Sequence, residues 1–154
     1  MLDIMKHLIT AATILIAGLA HSALANDTVT YEVTDQSYDD VMFGLENAIL
    51  DFGLVISEHN HVGDMLERTK ADLGATETIY TYADVFGFCS APLSRAAMLE
   101  DPMNIRFCPY NIYMYQISKG SPVIIGYDVY PEGALQDVQA LLDDITLSAI
   151  GLEE

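Results

Sequence analysis

The two cysteines are the first residues whose types and spacing could do chemistry. Cys89 lies in GFCSAPLSR and Cys108 in RFCPYNIYMY, each at the end of a predicted strand, with a short predicted helix between them. Their separation is not that of a CxxC redox motif. We predict a structural disulfide, which would close a loop of about 20 residues. The alternatives are buried free thiols, metal ligation and thiol redox chemistry. In the redox alternative Cys89 would be the nucleophile, because a helix N-terminus stabilises a thiolate.

Two histidines form the second candidate group. His59 and His61 lie in SEHNHVGDM, and residues two apart on a strand point to the same side. Both imidazoles could therefore face one ligand, with Met65 one helical turn further on. Imidazole and sulfur ligands suit copper(I). Because HxH is a weak pattern and polar residues also serve as caps and turns, we predict no cofactor, and copper or haem ligation is the alternative.

Aromatic side chains are concentrated on the predicted strands. Along the predicted third strand, alternation places Tyr80, Tyr82, Phe86 and Phe88 on one face and Ile79, Ala83 and Val85 on the other. Both faces are apolar enough to be covered. Packing in the core explains most of these residues, and a second subunit or an apolar ligand would cover the face that the helices leave open.

Hydrophobic periodicity predicts the elements that position these residues. Ser37 with Asp40 forms a weak capping box before the first helix, and Gly53 ends that helix. The predicted strands are 29–33, 54–58, 77–88, 111–118 and 122–129, and the predicted helices are 37–53, 62–74, 90–99 and 134–150. The order β-α-β-α-β-α-β-β-α predicts an α+β two-layer sandwich, with a mixed, mostly antiparallel sheet and helices packed on one face.

The first 25 residues have the pattern of a signal peptide. An apolar run from Leu8 to Ala20 follows Lys6, and small residues at Ala23 and Ala25 fit signal-peptidase cleavage after Ala25. The run is shorter than the roughly 20 residues that a membrane span needs. We therefore predict a single domain at 26–154 in the bacterial periplasm, without a transmembrane span. Because Asp3 cancels Lys6, translation from Met5 would give a more ordinary signal than translation from Met1.

The chain is strongly acidic, with 6 Lys and Arg against 23 Asp and Glu and a formal net charge of -17. This balance excludes nucleic acid and anionic membrane surfaces as partners, because both are bound through Lys and Arg. The acids are scattered, which favours a role in solubility over one specific cationic partner. The sequence contains no GxSxG, GxGxxG, P-loop, HExxH, EF-hand or CxxCH motif, so no common catalytic signature is present.

From Ser37 to Val129 the chain resembles the domain of unknown function 302 family. The resemblance rests on the first helix leading into FGLVISEHNH, a short helix ending in EDP, and a proline-led strand from Pro109 to Ile117 with a hairpin partner. His61 falls where members often have a histidine after the second strand. Members usually have a Gly-Asn-Pro turn where this chain has Phe88-Cys89-Ser90, so the paired FCSA and FCPY motifs indicate a secreted branch. The resemblance implies a small α+β sandwich, often dimeric, and it supplies no catalytic residue.

These observations predict a binding or accessory module rather than an enzyme. The predicted ligand-binding cluster lies at the strand ends and comprises Cys89, Cys108, His61 and Tyr110, with the two cysteines in a disulfide. Its partner would be a small ligand or a protein, and a homodimer is one form that the resemblance implies. Two other functions compete with this prediction. One is a copper or haem protein that uses His59, His61 and Met65, and the other is a thiol-disulfide redox protein.

Overall fold

The structure of the chain, a computed structural model, describes residues 27–152. The predicted signal peptide and its cleavage site lie outside the described residues. The elements in chain order are β1 (Thr28–Val33), α1 (Tyr38–Asp51), β2 (Ile56–His61), α2 (Val62–Thr69), β3 (Tyr82–Phe88), α3 (Ala91–Glu100), a 3-10 turn (Pro102–Phe107), β4 (Tyr110–Gln116), β5 (Val123–Asp128) and α4 (Leu135–Ala149). The predicted order of strands and helices is confirmed.

The five strands form one sheet in the order β1-β5-β4-β3-β2. All four neighbouring pairs are antiparallel. The first two strands of the chain are therefore the two edges of the sheet, and α1 connects one edge to the other. The predicted α+β class, with helices packed against a mostly antiparallel sheet, is confirmed.

Helices α1, α3 and α4 cover one face of the sheet and enclose the core. Helix α1 packs against α4, and α3 packs against α4 beside them. Fully buried side chains come from both layers: Val41, Leu45 and Ile49 of α1, Val138, Leu142 and Ile145 of α4, and Phe86, Ile112 and Ile125 of the sheet. The i, i+4 spacing on α1 and the i, i+2 spacing on the strands place these residues on facing surfaces.

The capping box predicted for α1 is confirmed. The Ser37 hydroxyl accepts a hydrogen bond from the Asp40 backbone N–H at 3.2 Å, and the Asp40 carboxylate accepts from the Ser37 N–H at 3.4 Å. The helix ends before Gly53, whose φ of 74° is open to glycine at no steric cost. The cap fixes the first turn of α1, and therefore Tyr38, against the sheet.

Two predicted strand boundaries are wrong. Strand β2 spans Ile56–His61 rather than 54–58, because the Leu54 N–H donates to the Ile49 carbonyl at 3.1 Å and so belongs to the end of α1. Strand β3 was predicted to begin at residue 77, but it begins at Tyr82. Its pairing with β4 starts there, because Tyr82 is opposite the last residue of β4. The correction matters for function because it moves both histidines onto β2.

The face of the sheet away from the helices has an aromatic surface. Tyr113 and Tyr115 are half-buried there, and the ring of Tyr80 lies 5.4 Å from that of Tyr115. The predicted placement of Tyr80 beside Tyr82 is wrong, because Tyr80 precedes β3 and the strand alternation does not reach it. A second subunit or a ligand on this face stays a prediction. Within residues 27–152, no helix is both long and apolar enough to cross a membrane.

Candidate functional site

The edge strand β2 and its neighbour β3 bring two histidines to one aspartate. The register pairs His61 with Asp84 and His59 with Phe86, so the three polar side chains share one face. His59 Nε2 lies 2.9 Å from Asp84 Oδ1, and His61 Nδ1 lies 2.6 Å from the same oxygen. One ligand atom from each residue lies within 4.8 Å of the other two. We call these three residues the Asp84 cluster.

The Asp84 carboxylate is buried and has a third partner on α1. It is only 7% exposed, and its other oxygen, Oδ2, accepts a 2.6 Å hydrogen bond from the Tyr38 hydroxyl. Tyr38 is itself buried, with its ring stacked on Tyr82 at 4.9 Å. A buried carboxylate without partners would be strongly unfavourable. Tyr38, His59 and His61 remove that penalty.

Burial raises the pKa of the Tyr38 hydroxyl well above its ordinary value, and the hydrogen bond to Asp84 raises it further. The hydroxyl therefore stays protonated at neutral pH and remains a donor to Asp84. The charges of Asp39 and Asp64 act in the same direction. Two more carboxylates thus lie near enough to Tyr38 to make the local potential negative, which favours a cation at the cluster.

The two imidazoles differ in how freely they can move. The His59 ring stacks on Phe86 with centroids 3.9 Å apart, and 23% of its side chain is exposed. The His61 side chain is 58% exposed and lies against His59, with ring centroids 4.1 Å apart. Both histidines line a surface pocket together with Met65 and Arg68. One imidazole is therefore fixed by packing, whereas the other faces solvent.

This donor set suits a divalent transition-metal ion. Two imidazoles and one carboxylate are ligands that zinc and copper(II) accept. Ligand atoms around a tetrahedral zinc ion lie about 3.3 Å apart, given bonds of about 2.0 Å. The present N···O distances of 2.9 and 2.6 Å would have to widen by about 0.4 and 0.7 Å, and all three ligand atoms lie within 4.8 Å of one another. Met65, predicted as a ligand with the two histidines, lines the same pocket, and Asp84 is a further donor that the prediction did not include.

A second carboxylate on the same face has similar geometry and different partners. Asp143 of α4 accepts 2.6 Å hydrogen bonds from the hydroxyls of Tyr31 and Tyr127. Burial and the Asp143 hydrogen bond raise the pKa of Tyr31 to about 12. Both causes also raise the pKa of Tyr127 far above its ordinary value. Because neither hydroxyl gives up its proton at neutral pH, Asp143 offers a natural control for the Asp84 cluster.

The predicted disulfide between Cys89 and Cys108 is present, with Cα atoms 6.5 Å apart. Cys89 directly follows the last residue of β3, and Cys108 lies two residues before the start of β4. Because Phe88 pairs with Tyr110 at that end of the sheet, the two sulfurs meet there. Neither is a free thiol, so neither is available to ligate a metal in this state. Cys89 is exposed and lies just before α3.

The predicted grouping of His61 with the cysteines and Tyr110 is wrong. His61 lies opposite Asp84, and Cys89 is five residues further along the same strand, or roughly 16 Å away at about 3.3 Å per residue. Tyr110 is 1% exposed, and its hydroxyl lies 2.8 Å from the Ser94 hydroxyl, so it belongs to the core. The strand-end cluster is therefore two separate features at opposite ends of β3.

Sequence reasoning missed Asp84 and Tyr38. A signal for Asp84 was present, because alternation along β3 places it between Tyr82 and Phe86 on an otherwise aromatic face. An acidic residue in such a position must find partners. Tyr38 carries no comparable signal, since any residue after the Ser37 cap could have occupied the first turn of α1.

A family model described as "Domain of unknown function DUF302" matches residues 29–146. The chain belongs to the DUF302 family. The match runs from β1 into α4, so it includes the Asp84 cluster, the disulfide and Asp143. The resemblance to this family is therefore confirmed, and membership brings no established activity with it.

One solved structure shows the same fold. It is described as the crystal structure of an uncharacterized conserved protein DUF302 from Bacillus stearothermophilus, and it is 18% identical to this DUF302 chain with a TM-score of 0.56. The similarity covers 83% of this chain and 93% of that one. Among curated proteins, none matches this chain.

Proposed function

We propose that this DUF302 protein is a small periplasmic binding module that holds one divalent transition-metal ion at His59, His61 and Asp84. The observation that carries the proposal is the convergence of two imidazole nitrogens and a carboxylate oxygen within 4.8 Å of one another. Copper(II) should bind more tightly than zinc, in the general order of affinities for such ligands. The role is accessory rather than enzymatic.

The electrostatics of the cluster support a cation. The chain has a net charge of -17, and Asp39 and Asp64 lie near enough to act on the Tyr38 hydroxyl. In the metal-free state the two imidazoles satisfy Asp84 by hydrogen bonding. A divalent ion would be attracted by the same carboxylate and ligated by neutral imidazoles, and binding should weaken at low pH because a protonated imidazole cannot ligate a metal.

The local structure supports the ion with little rearrangement. His59 is held by its stack on Phe86, and Asp84 by its bond to Tyr38. The exposed His61 has the larger adjustment to make, because its nitrogen lies closer to Asp84 Oδ1 than that of His59 does. A site whose ligands are already positioned loses less conformational freedom on binding. Such support of a ligating carboxylate by a hydrogen-bond donor is usual in metal sites.

Calorimetric titration of the exported protein with Cu²⁺ and with Zn²⁺, prepared without an added histidine tag, tests the proposal. We expect one ion per chain. Because each substitution removes a ligand, Asp84→Asn and the double variant His59→Gln, His61→Gln should weaken binding by at least about 100-fold. The matched control is Asp143→Asn, which alters the other hydrogen-bonded carboxylate and should bind like the wild type.

Two outcomes would contradict a metal-binding role. One is the absence of any saturable binding by the wild-type protein. The other is equal binding by the wild type and by the two cluster variants, which would assign the ion to scattered surface acids. Either result would mean that the Asp84 cluster is structural, with its hydrogen bonds offsetting the cost of burying the carboxylate.

A second candidate function is thiol-disulfide exchange at Cys89. The exposure of Cys89 just before α3 favours it, because an attacking thiolate needs access to the sulfur. The reduction potential of the Cys89–Cys108 pair tests this candidate. A value below about -300 mV is typical of structural disulfides and would contradict it.

A further inference from the structure

We propose that Tyr38 restricts Asp84 to one ligating oxygen, so that an ion at His59, His61 and Asp84 keeps a coordination position open to a small anion. The inference rests on the proposed function and goes further, because it assigns a ligand class to the bound ion. It also assigns a role to Tyr38, which is a positioning residue since it acts through the carboxylate.

The two oxygens of Asp84 have different tasks. Oδ1 faces both imidazoles, at 2.9 Å from His59 and 2.6 Å from His61. Oδ2 accepts the 2.6 Å hydrogen bond from the Tyr38 hydroxyl. That hydrogen bond takes up one lone pair of Oδ2 and turns this oxygen toward Tyr38, whereas Oδ1 faces the imidazoles. Asp84 should therefore bind through Oδ1 alone.

The hydroxyl of Tyr38 is held where it is by its surroundings. Its side chain is 5% exposed and stacks on Tyr82, and its hydroxyl also lies 3.3 Å from the Met114 carbonyl. The ring enters the site from the first turn of α1, which the capping box fixes against the sheet. Tyr38 cannot swing away without unpacking that turn, so the restriction on Oδ2 is built into the fold.

Three ligand atoms leave a divalent ion with at least one open position. Zinc sites with three protein ligands characteristically take water or an exogenous ligand in the fourth position. At the Asp84 cluster the open side faces solvent, since more than half of the His61 side chain is exposed. Copper(II) prefers four or more ligands, so the same argument holds for it.

The surroundings favour an anion in that position. The bound ion itself supplies two positive charges. Arg68 lines the same pocket as the two histidines and has no ion-pair partner within residues 27–152. A guanidinium pairs well with carboxylates and oxyanions. The ligand class is therefore a small carboxylate or inorganic anion, and azide is a convenient probe because it has a strong absorption band when bound to copper(II).

Azide titration of the copper-loaded exported protein, followed by absorbance and by electron paramagnetic resonance, tests the inference. The wild type should show a saturable new charge-transfer band. In Tyr38→Phe the freed Oδ2 becomes a second ligand atom and reduces the ion's demand for a further ligand, so azide affinity should fall at least about 10-fold while copper stays bound. The matched control, Tyr31→Phe, loses a 2.6 Å bond to the other carboxylate and should behave like the wild type.

The outcomes separate this inference from the proposed function. If copper binds to the wild type and azide leaves its spectrum unchanged, the open position is disproved and the metal site stands. Equal azide affinity in Tyr38→Phe and the wild type would overturn the role of Tyr38. If copper itself does not bind, both proposals fail. The wild-type titration needs no variant, so the open position is testable even if Tyr38→Phe does not fold.

Discussion

The two ends of β3 are fastened by different chemistry. At one end Asp84 accepts hydrogen bonds from Tyr38, His59 and His61, and at the other Cys89 is covalently bonded to Cys108. The covalent end is independent of pH and of ions over the ordinary range. In the proposed function the hydrogen-bonded end holds a metal ion. The comparison therefore separates a covalent link from a proposed binding site on one strand.

Removing the disulfide should have the largest effect on stability and little effect on metal affinity. The double variant Cys89→Ser, Cys108→Ser opens a link between residues 19 apart in sequence. The free energy of unfolding should fall by about 3 kcal/mol in the chain-entropy model. Urea denaturation measures the loss, and calorimetry should show metal affinity within about 2-fold of the wild type. A large loss of metal affinity would show that the two ends are coupled.

Adding a metal ion should raise the free energy of unfolding, whereas removing the disulfide should lower it. At a free concentration of about 100 times the dissociation constant, an ion bound only by the folded state raises the free energy of unfolding by about 2.7 kcal/mol. Urea denaturation with zinc and then with a chelator measures the difference. The gain should persist in the cysteine variant and disappear in Asp84→Asn. A gain of the same size in Asp84→Asn would place the ion elsewhere.

Removing a tyrosine hydroxyl should destabilise the metal-free protein more at Asp84 than at Asp143. Tyr38→Phe leaves an oxygen of the buried Asp84 without its donor, so unfolding should become easier by about 1–3 kcal/mol. Tyr31→Phe should cost about 1 kcal/mol or less, because Asp143 is half-buried and keeps its bond from Tyr127. Urea denaturation of both variants decides the matter. Equal losses would mean that burial of Asp84 contributes nothing special.

Alkaline pH should break the hydrogen bonds that tyrosine hydroxyls donate to the carboxylates, because the hydroxyls lose their protons, and should leave the disulfide intact. The pKa of Tyr31 is raised from 10.0 to about 12, chiefly by burial. A raised folded-state pKa gives stability that is complete below pH 10.0 and is lost as the pH rises toward about 12. Urea midpoints across that range should fall, and less steeply in Tyr31→Phe. The cysteine double variant should keep the wild-type slope; an altered slope would show that the disulfide is coupled to the Tyr31–Asp143 hydrogen bond.

The sequence predicted the order of helices and strands better than it predicted the candidate site. Periodicity was sufficient for the order of elements, and Ser37 and Gly53 marked the ends of α1 because caps are local chemistry. The cysteine pair was predicted from strand ends that proved to be neighbours. The Asp84 cluster depends instead on the register of β2 against β3, which no local signal fixes. The error of two or three residues in β2 was enough to place the histidines at a junction rather than on the strand.

The pairing of β1 with β5 limits when the sheet can be completed during folding. Within residues 27–152, β1 is the first strand and β5 is its only partner, with Thr28 paired with Asp128. The hairpin of β4 and β5 can form from local contacts, whereas β1 has nothing to pair with until nearly the whole chain has been synthesised. Long-range pairing of this kind is slow, because the chain must first close a large loop. The chain should therefore emerge from the ribosome unable to complete its sheet, and acquire its first strand last.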